Sequence, residues 1–319
     1  MFIVKYRKIF FILTGVIIAL SIFSTIFFGL NFGIDFTGGA IMEISYPSTP
    51  RLNSGNLEAG LVDDTLNEFP SKESLEQRLQ DMPIGSFSLR QIGDNGYILR
   101  TRDLTKEEHT AVLNALSLNG EKEVVQERFN SIGPTIGKEL RNKAFVAIGI
   151  VIIAIMLFVA FVFRKVSKPV SSWKYGVAAI IALIHDIIVP TGVFAFLGYI
   201  LGVEIDILFV MALLAILGYS VNDTIVVFDR VRENLRLNRE HGSEESFDLT
   251  VGKSLNQTYA RSINTSLTTL FVVIALFFFG SEATQDFALV LAIGIIAGTY
   301  SSIFLATPLL VAINKKSLG

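Results

Sequence analysis

A chain of 319 residues that is 51 % hydrophobic, with a mean hydropathy of +0.55, reads as an integral membrane protein before any motif is considered. Its formal net charge of −2 supplies no bulk attraction for nucleic acid or for a polybasic partner. The absence of cysteine excludes disulfides, thiolate catalysis and Cys-ligated metals, and His109, His185 and His241 are too scattered for a His-rich metal cluster. No cofactor is expected.

The first apolar run, Ile9–Leu30, follows Lys5, Arg7 and Lys8. It is long enough to span a bilayer and ends without a small-x-small cleavage site, so it reads as an uncleaved first transmembrane helix and not a signal peptide. Five more stretches reach spanning length: Ala144–Phe163, Tyr175–Ile200, Ile207–Phe228, Ile263–Gly280 and Phe287–Ile313. Lys and Arg gather before the first helix, between the second and third (Arg164, Lys165, Lys168, Lys174), between the fourth and fifth (Arg230 to Lys253), and at Lys315 and Lys316. The opposite short loops carry only acids, Glu204 with Asp206 and Glu282 with Asp286. By the positive-inside rule both termini are cytoplasmic and the polar insert lies outside. The expected organisation is a first helix in residues 1–30, an extracytoplasmic domain in 31–140, and five more helices in 141–316 with a cytoplasmic loop at 230–255.

The insert opens with Gly33–Gly39, GIDFTGG, a turn-rich entry, and Ala40–Pro47 is a strand candidate. The glycines lack the Lys and the spacing of a phosphate-binding loop. Residues Ser48–Gly60 read as loop. Ser71 caps a helix to Met82 with Leu75 and Leu79 on its apolar stripe. A hairpin follows, Ser86–Ile92 and Tyr97–Arg102, turning at Asp94–Asn95–Gly96. Thr105 with Glu108 forms a capping-box pattern, and Glu123–Arg128 alternates as a last strand. The order βαββαβ predicts a ferredoxin-like α+β domain. Ser131–Lys138, SIGPTIGK, is expected to turn the chain back at the exit.

Four places in the predicted membrane helices carry polar side chains. Asp223 lies near the charged exit of the fourth helix, and a carboxylate at bilayer depth costs about 3 kcal/mol and normally faces a bundle interior or a wet cavity. It is the first functional suspect, a solvated helix end being the plainer reading. Gly218 and Asn222, one turn apart beside it, suggest a face packed against partners. His185 and Asp186 sit mid-helix, close before Pro190, and suit either proton handling or packing specificity. In the fifth helix Arg261, Thr265, Thr268 and Thr269 form one polar stripe; Arg261 either pairs with Asp223 at similar depth or snorkels to the interface. Gly294, Gly298 and Ser302 form a small-residue face in the sixth, a packing device that says nothing about chemistry.

Phe32–Ala40 (FGIDFTGGA), Ser131–Ala144, LIHDI at Leu183–Ile187 and above all LGYSVNDTIVVFDRVREN at Leu217–Asn234 resemble the SecF family, the smaller half of the SecDF accessory within the RND superfamily. The resemblance covers nearly the whole chain and implies a six-helix bundle with one extracytoplasmic ferredoxin-like domain, not an enzyme. It further implies a SecD partner in the bacterial inner membrane and use of the proton gradient to draw unfolded preprotein through SecYEG, in contact with membrane lipids and a YidC-type insertase. The family's transmembrane Asp falls on Asp223 and its fifth-helix Arg on Arg261, with Asn222, Thr265, His185 and Asp186 as secondary candidates. The Ser48–Gly60 loop has no counterpart in the family's minimal domain. Two other classes stay open: an RND-type exporter subunit for lipid or small molecules, and a structural assembly subunit without proton transport. An intramembrane aspartyl protease would need Asp186 and Asp223 as facing carboxylates in a Gly-x-Gly-Asp setting, and Asp223 follows Ser–Val–Asn.

Overall fold

The computed structural model describes residues 2–47, 69–93, 95–164, 171–243, 245–280 and 282–316. The chain separates into two compact units, residues 32–142 and residues 1–31 with 143–319.

In the first unit a short helix α3 (Ile34–Thr37) leads into β1 (Gly39–Ser45). There follow α4 (Lys72–Gln80), β2 (Ser88–Ile92), β3 (Gly96–Thr101), α5 (Lys106–Leu116) and β4 (Val125–Ile132). The four strands form one antiparallel sheet in the order β2-β3-β1-β4. Alternate residues of β1 and β3 (Met42, Ile44, Tyr97, Leu99) meet Leu75 and Leu79 of α4 and Val112 and Leu116 of α5 in one core. The caps sit where the sequence puts them: Ser71 accepts from the Ser74 amide, and Thr105 and Glu108 close a capping box around the start of α5. Buried Tyr97 stacks on Phe69 at 4.9 Å and its hydroxyl donates to the Pro70 carbonyl at 2.7 Å.

The glycine-rich entry is a turn. Gly38 has φ +80° and Gly39 φ +139°, and a Cβ on Gly38 would stand 2.6 Å from Pro134 Cα. SIGPTIGK behaves otherwise than expected: Ser131 and Ile132 belong to β4, and α6 (Pro134–Val162) begins after Gly133 alone. Proline suits the first turn of a helix, where its missing N–H has no partner to lose, so the run starts a helix instead of making a loop. The predicted loop at Ser48–Gly60 and Asp94 of the hairpin turn lie outside the described residues.

The second unit holds α1 (Phe2–Lys5), α2 (Arg7–Phe28), α7 (Ser172–Leu201), α8 (Ile207–Glu240), α9 (Phe247–Phe279) and α10 (Glu282–Tyr300). A π-helical segment, Ser301–Ala306, joins α10 to α11 (Thr307–Lys316). With α6, six helical stretches are long and apolar enough to cross a membrane. Their ends sort into two sets. At one, Val4, Phe163, Tyr175, Phe228, Val251 and Val311 share a core, and Arg7 pairs with Asp248 at 3.3 Å. At the other, Asn31 bonds the carbonyls of Gly202 and Val203, and its own carbonyl accepts from the Ile205 amide at 2.7 Å.

Most of residues 230–255, expected as loop, is helix, because α8 and α9 continue as a two-helix extension. Side-chain bonds between the two helices explain it: Arg230 Nε donates to Gln257 at 2.6 Å, and the Asn234 amide donates to Ser254 and Gln257 at 2.8 Å each. Charged composition ends a membrane span without ending a helix.

Candidate functional site

The site begins with close packing between α8 and α10. A Cβ on Gly294 would lie 2.1 Å from the Ile216 side chain, and one on Gly298 3.0 Å from Ser220 Cβ. Glycine at both positions lets the helices approach. One turn further along, the same faces turn polar and the Ser302 hydroxyl donates to Asp223 Oδ2. The π-helical segment starts at that level. Its two leading serines serve different carboxylates, Ser302 that of Asp223 and Ser301 that of Asp186 at 2.9 Å. Thr307 Oγ1 donates to the Ser302 carbonyl at 2.8 Å, satisfying an acceptor in the widened turn.

Asp186 and His185 belong to a sealed cluster, 0 % and 1 % exposed. Asp186 Oδ2 accepts from Ser220 as well as Ser301, and its Oδ1 lies 2.9 Å from His185 Nδ1. The imidazole stacks on Tyr300 at 5.9 Å, and its Nε2 has no partner among the described residues. Neighbours on a helix point about 100° apart, yet these two side chains curl back and meet each other.

Asp223 also borders a recess of about 70 Å3 lined by Tyr219, Asn222, Val226, Arg261 and Thr265. Four of the six predicted site residues therefore share one small space. Arg261 is exposed, Asp223 half-buried, and no ion pair joins them among the described residues. Tyr219 and Thr299 close the inner side through Ser266, at 3.1 and 2.6 Å. The α8 face of Gly218 and Asn222, expected to pack against partners, is exposed, as is Met211 on the same helix. The arrangement sets a half-buried carboxylate, held by one hydroxyl donor, beside a small recess that a guanidinium also lines. Among the described residues no group of three or more His, Cys, Asp or Glu could hold a metal.

Sequence reasoning missed Ser220, Ser301 and Ser302 as members of the site. Ser302 was visible as the third small residue after Gly294 and Gly298, but a packing stripe does not disclose which of its members donates a hydrogen bond.

Comparison with known proteins agrees with this architecture. Residues 112–316 match the family model "Protein export membrane protein SecD/SecF, C-terminal", and residues 23–46 match the "SecD/SecF GG Motif". The chain is 41 % identical to protein translocase subunit SecF of Thermobaculum terrenum, over 98 % of this chain and 94 % of that protein. It is 35 % identical to that of Calditerrivibrio nitroreducens, over 97 % and 92 %. The crystal structure of SecDF, a translocon-associated membrane protein from Thermus thermophilus, superposes with a TM-score of 0.76 at 32 % identity, covering 98 % of this chain and 38 % of that longer one. These relatives are named as subunits of a translocase, a transport role and not an enzymatic one. With six membrane-length helices, a small antiparallel sheet and near full-length relatives, the chain belongs to the SecF family, as a multi-pass membrane protein with an accessory role in the Sec pathway.

Proposed function

We propose that this chain acts with a SecD partner in the bacterial inner membrane, both termini cytoplasmic, using the proton gradient to promote export of unfolded preprotein through SecYEG. Asp223 is its proton-carrying group and Arg261 the countercharge. The observation that carries the reading is the recess: a carboxylate on a membrane-length helix, a guanidinium without an ion-pair partner among the described residues and three further polar side chains (Tyr219, Asn222, Thr265) gathered around about 70 Å3. Protonating Asp223 removes its attraction for Arg261 and deprotonation restores it, so the spacing of α8 and α9 follows the state of one proton. The uncovered α8 face is the natural seat for the SecD helices. A ferredoxin-like reading of the sheet unit is supported by its element order and by the strand order β2-β3-β1-β4.

The test is preprotein release from membrane vesicles with and without an imposed proton gradient. Asp223→Asn keeps size and hydrogen bonding but cannot ionise. It is expected to assemble with SecD, lose the gradient-dependent part of export and keep the ATP-driven part, and an undiminished response to the gradient would reject Asp223 as the proton site. Arg261→Met should match that loss. Arg261→Lys should recover part of it, since an ammonium carries the charge without the planar fork.

A further inference from the structure

Asp186 takes no part in the recess, yet it is fully buried and three donors converge on it. Its two serine partners are placed tellingly. Ser220 stands three residues before Asp223 on α8, and Ser301 directly precedes Ser302. Both sides of the Ser302–Asp223 bond are thus anchored on the same carboxylate, the α8 side through Ser220 and the π-helical side through Ser301. We propose that Asp186 is a positioning residue for Asp223, fixing the serine pair of the π-helical segment so that the Ser302 hydroxyl stays on the Asp223 carboxylate.

A serine hydroxyl has one proton to give. Ser301 Oγ also lies 3.1 Å from the Gly298 carbonyl, and Ser302 Oγ lies 3.1 Å from the Thr299 carbonyl. Each serine therefore has a fallback acceptor in its own helix and a second acceptor across the helix packing. Asp186 selects the second for Ser301. With the backbone turned to suit that bond, and the Ser302 carbonyl closed by Thr307, the next hydroxyl points at Asp223. Remove Asp186 and Ser301 relaxes onto Gly298, and nothing then holds Ser302 away from Thr299. The titratable groups around this truss are Arg261 of α9 and Tyr219 of α8 at the recess, His185 of α7 on Asp186, and Tyr300 of α10 stacked on His185. None of them bonds Ser301 or Ser302 among the described residues.

The inference rests on Asp223 being the proton site only for its consequence in transport; the contact itself is tested chemically. A hydrophobic carbodiimide reacts with the protonated carboxyl, and a hydroxyl donated to a carboxylate favours the charged form. The experiment labels Asp223 at one fixed pH in membranes holding the full chain with its SecD partner, read by peptide mass spectrometry. Ser302→Ala should raise labelling on the order of tenfold, the low end of the effect of losing one hydrogen bond to a charged group. Ser301→Ala and Asp186→Leu should rise toward the same level, and Ser302→Ala with Asp186→Leu should label no more than Ser302→Ala alone; leucine, unlike asparagine, leaves no oxygen to accept from the serines. A cysteine at Asn222, on the rim of the same recess, should react with a neutral maleimide at an unchanged rate in every background. Wild-type labelling in both Ser301→Ala and Asp186→Leu would overturn the proposal, as would a parallel rise in maleimide reaction, which would report an opened recess. Should Asp186→Leu fail to assemble, Ser301→Ala decides alone. A normal gradient response in Asp223→Asn would remove the transport reading and leave this result standing.

Discussion

Asp186→Ala takes away a carboxylate that serves Ser220, Ser301 and the His185 imidazole in a place with no access to water. The two hydroxyls lose little, because serine in a helix can fall back on a carbonyl of its own turn, as Ser301 already approaches Gly298. The imidazole has no such refuge. Its Nδ1 loses a contact at 2.9 Å while its Nε2 is already without a partner among the described residues. A stranded buried donor costs about 1–3 kcal/mol, and breaking a buried pair from one side about 3–5 kcal/mol in all. His185→Phe keeps an aromatic ring against Tyr300 but has nothing to strand. In that background Asp186→Ala should cost about 2 kcal/mol less, the value of the imidazole donor alone. For a unit of this size that is a difference of about 4–8 °C in midpoint, readable by thermal unfolding of the purified chain in detergent across the four-member cycle. Equal costs of Asp186→Ala in both backgrounds would show that the His185–Asp186 contact contributes nothing to stability.

Glu108 is held down at about 2 from an ordinary 4.5, first by its bond with the Arg102 guanidinium and then by the Thr105 amide. A depressed carboxyl stabilises above its ordinary range and loses that contribution as pH falls from about 4.5 toward 2. The protection factors of the α5 amides, which remove the intrinsic pH dependence of exchange, should therefore fall across this window in the wild type and stay flat there in Glu108→Gln. Gly294→Val places methyl groups where Ile216 already sits; it should cost about 1–3 kcal/mol by overpacking, seen as a lowered unfolding midpoint, and Gly294→Val with Ile216→Ala should recover most of it. Because the chain has no cysteine, single cysteines report sidedness directly. One at Asn119 should react with an impermeant thiol reagent from outside intact cells and one at Ser243 should not, and the reverse pattern would overturn the charge-based topology.

What the sequence made legible follows from which physics is local. Six apolar runs, the Ser71 cap and the Thr105–Glu108 capping box depend on residues within one or two helical turns, and each reappears in the structure. Strand limits moved by a few residues, as at β4, expected at Glu123–Arg128 and found at Val125–Ile132, because the ladder's ends are decided by the partner strand. The extension of α8 and α9 was hidden for a related reason: Asn234 and Ser254 stabilise it only once they face each other. In the site, Asp223 and Arg261 declared themselves as charges in an apolar setting. The serines could not, since serine is unremarkable in a helix until a particular hydroxyl is seen to point at a particular carboxylate. The π-helical segment that aims two of them in different directions has no local sequence mark that would have announced it.

Asn31 ties the end of α2 to the short connection between α7 and α8 with its amide and its carbonyl together. Mechanically, that residue is a clamp. Tension entering the chain at Phe32 divides at Asn31: part follows the backbone into α2, itself bonded to α7 through Ser24 and the Gly192 carbonyl, and part crosses the clamp to residues 202–205 and the two helices that carry Asp186 and Asp223. The three bonds act in parallel, so they share a pull and do not unzip one by one. A tug on the polypeptide and a change of charge inside the bundle consequently meet on the same pair of helices, α7 and α8.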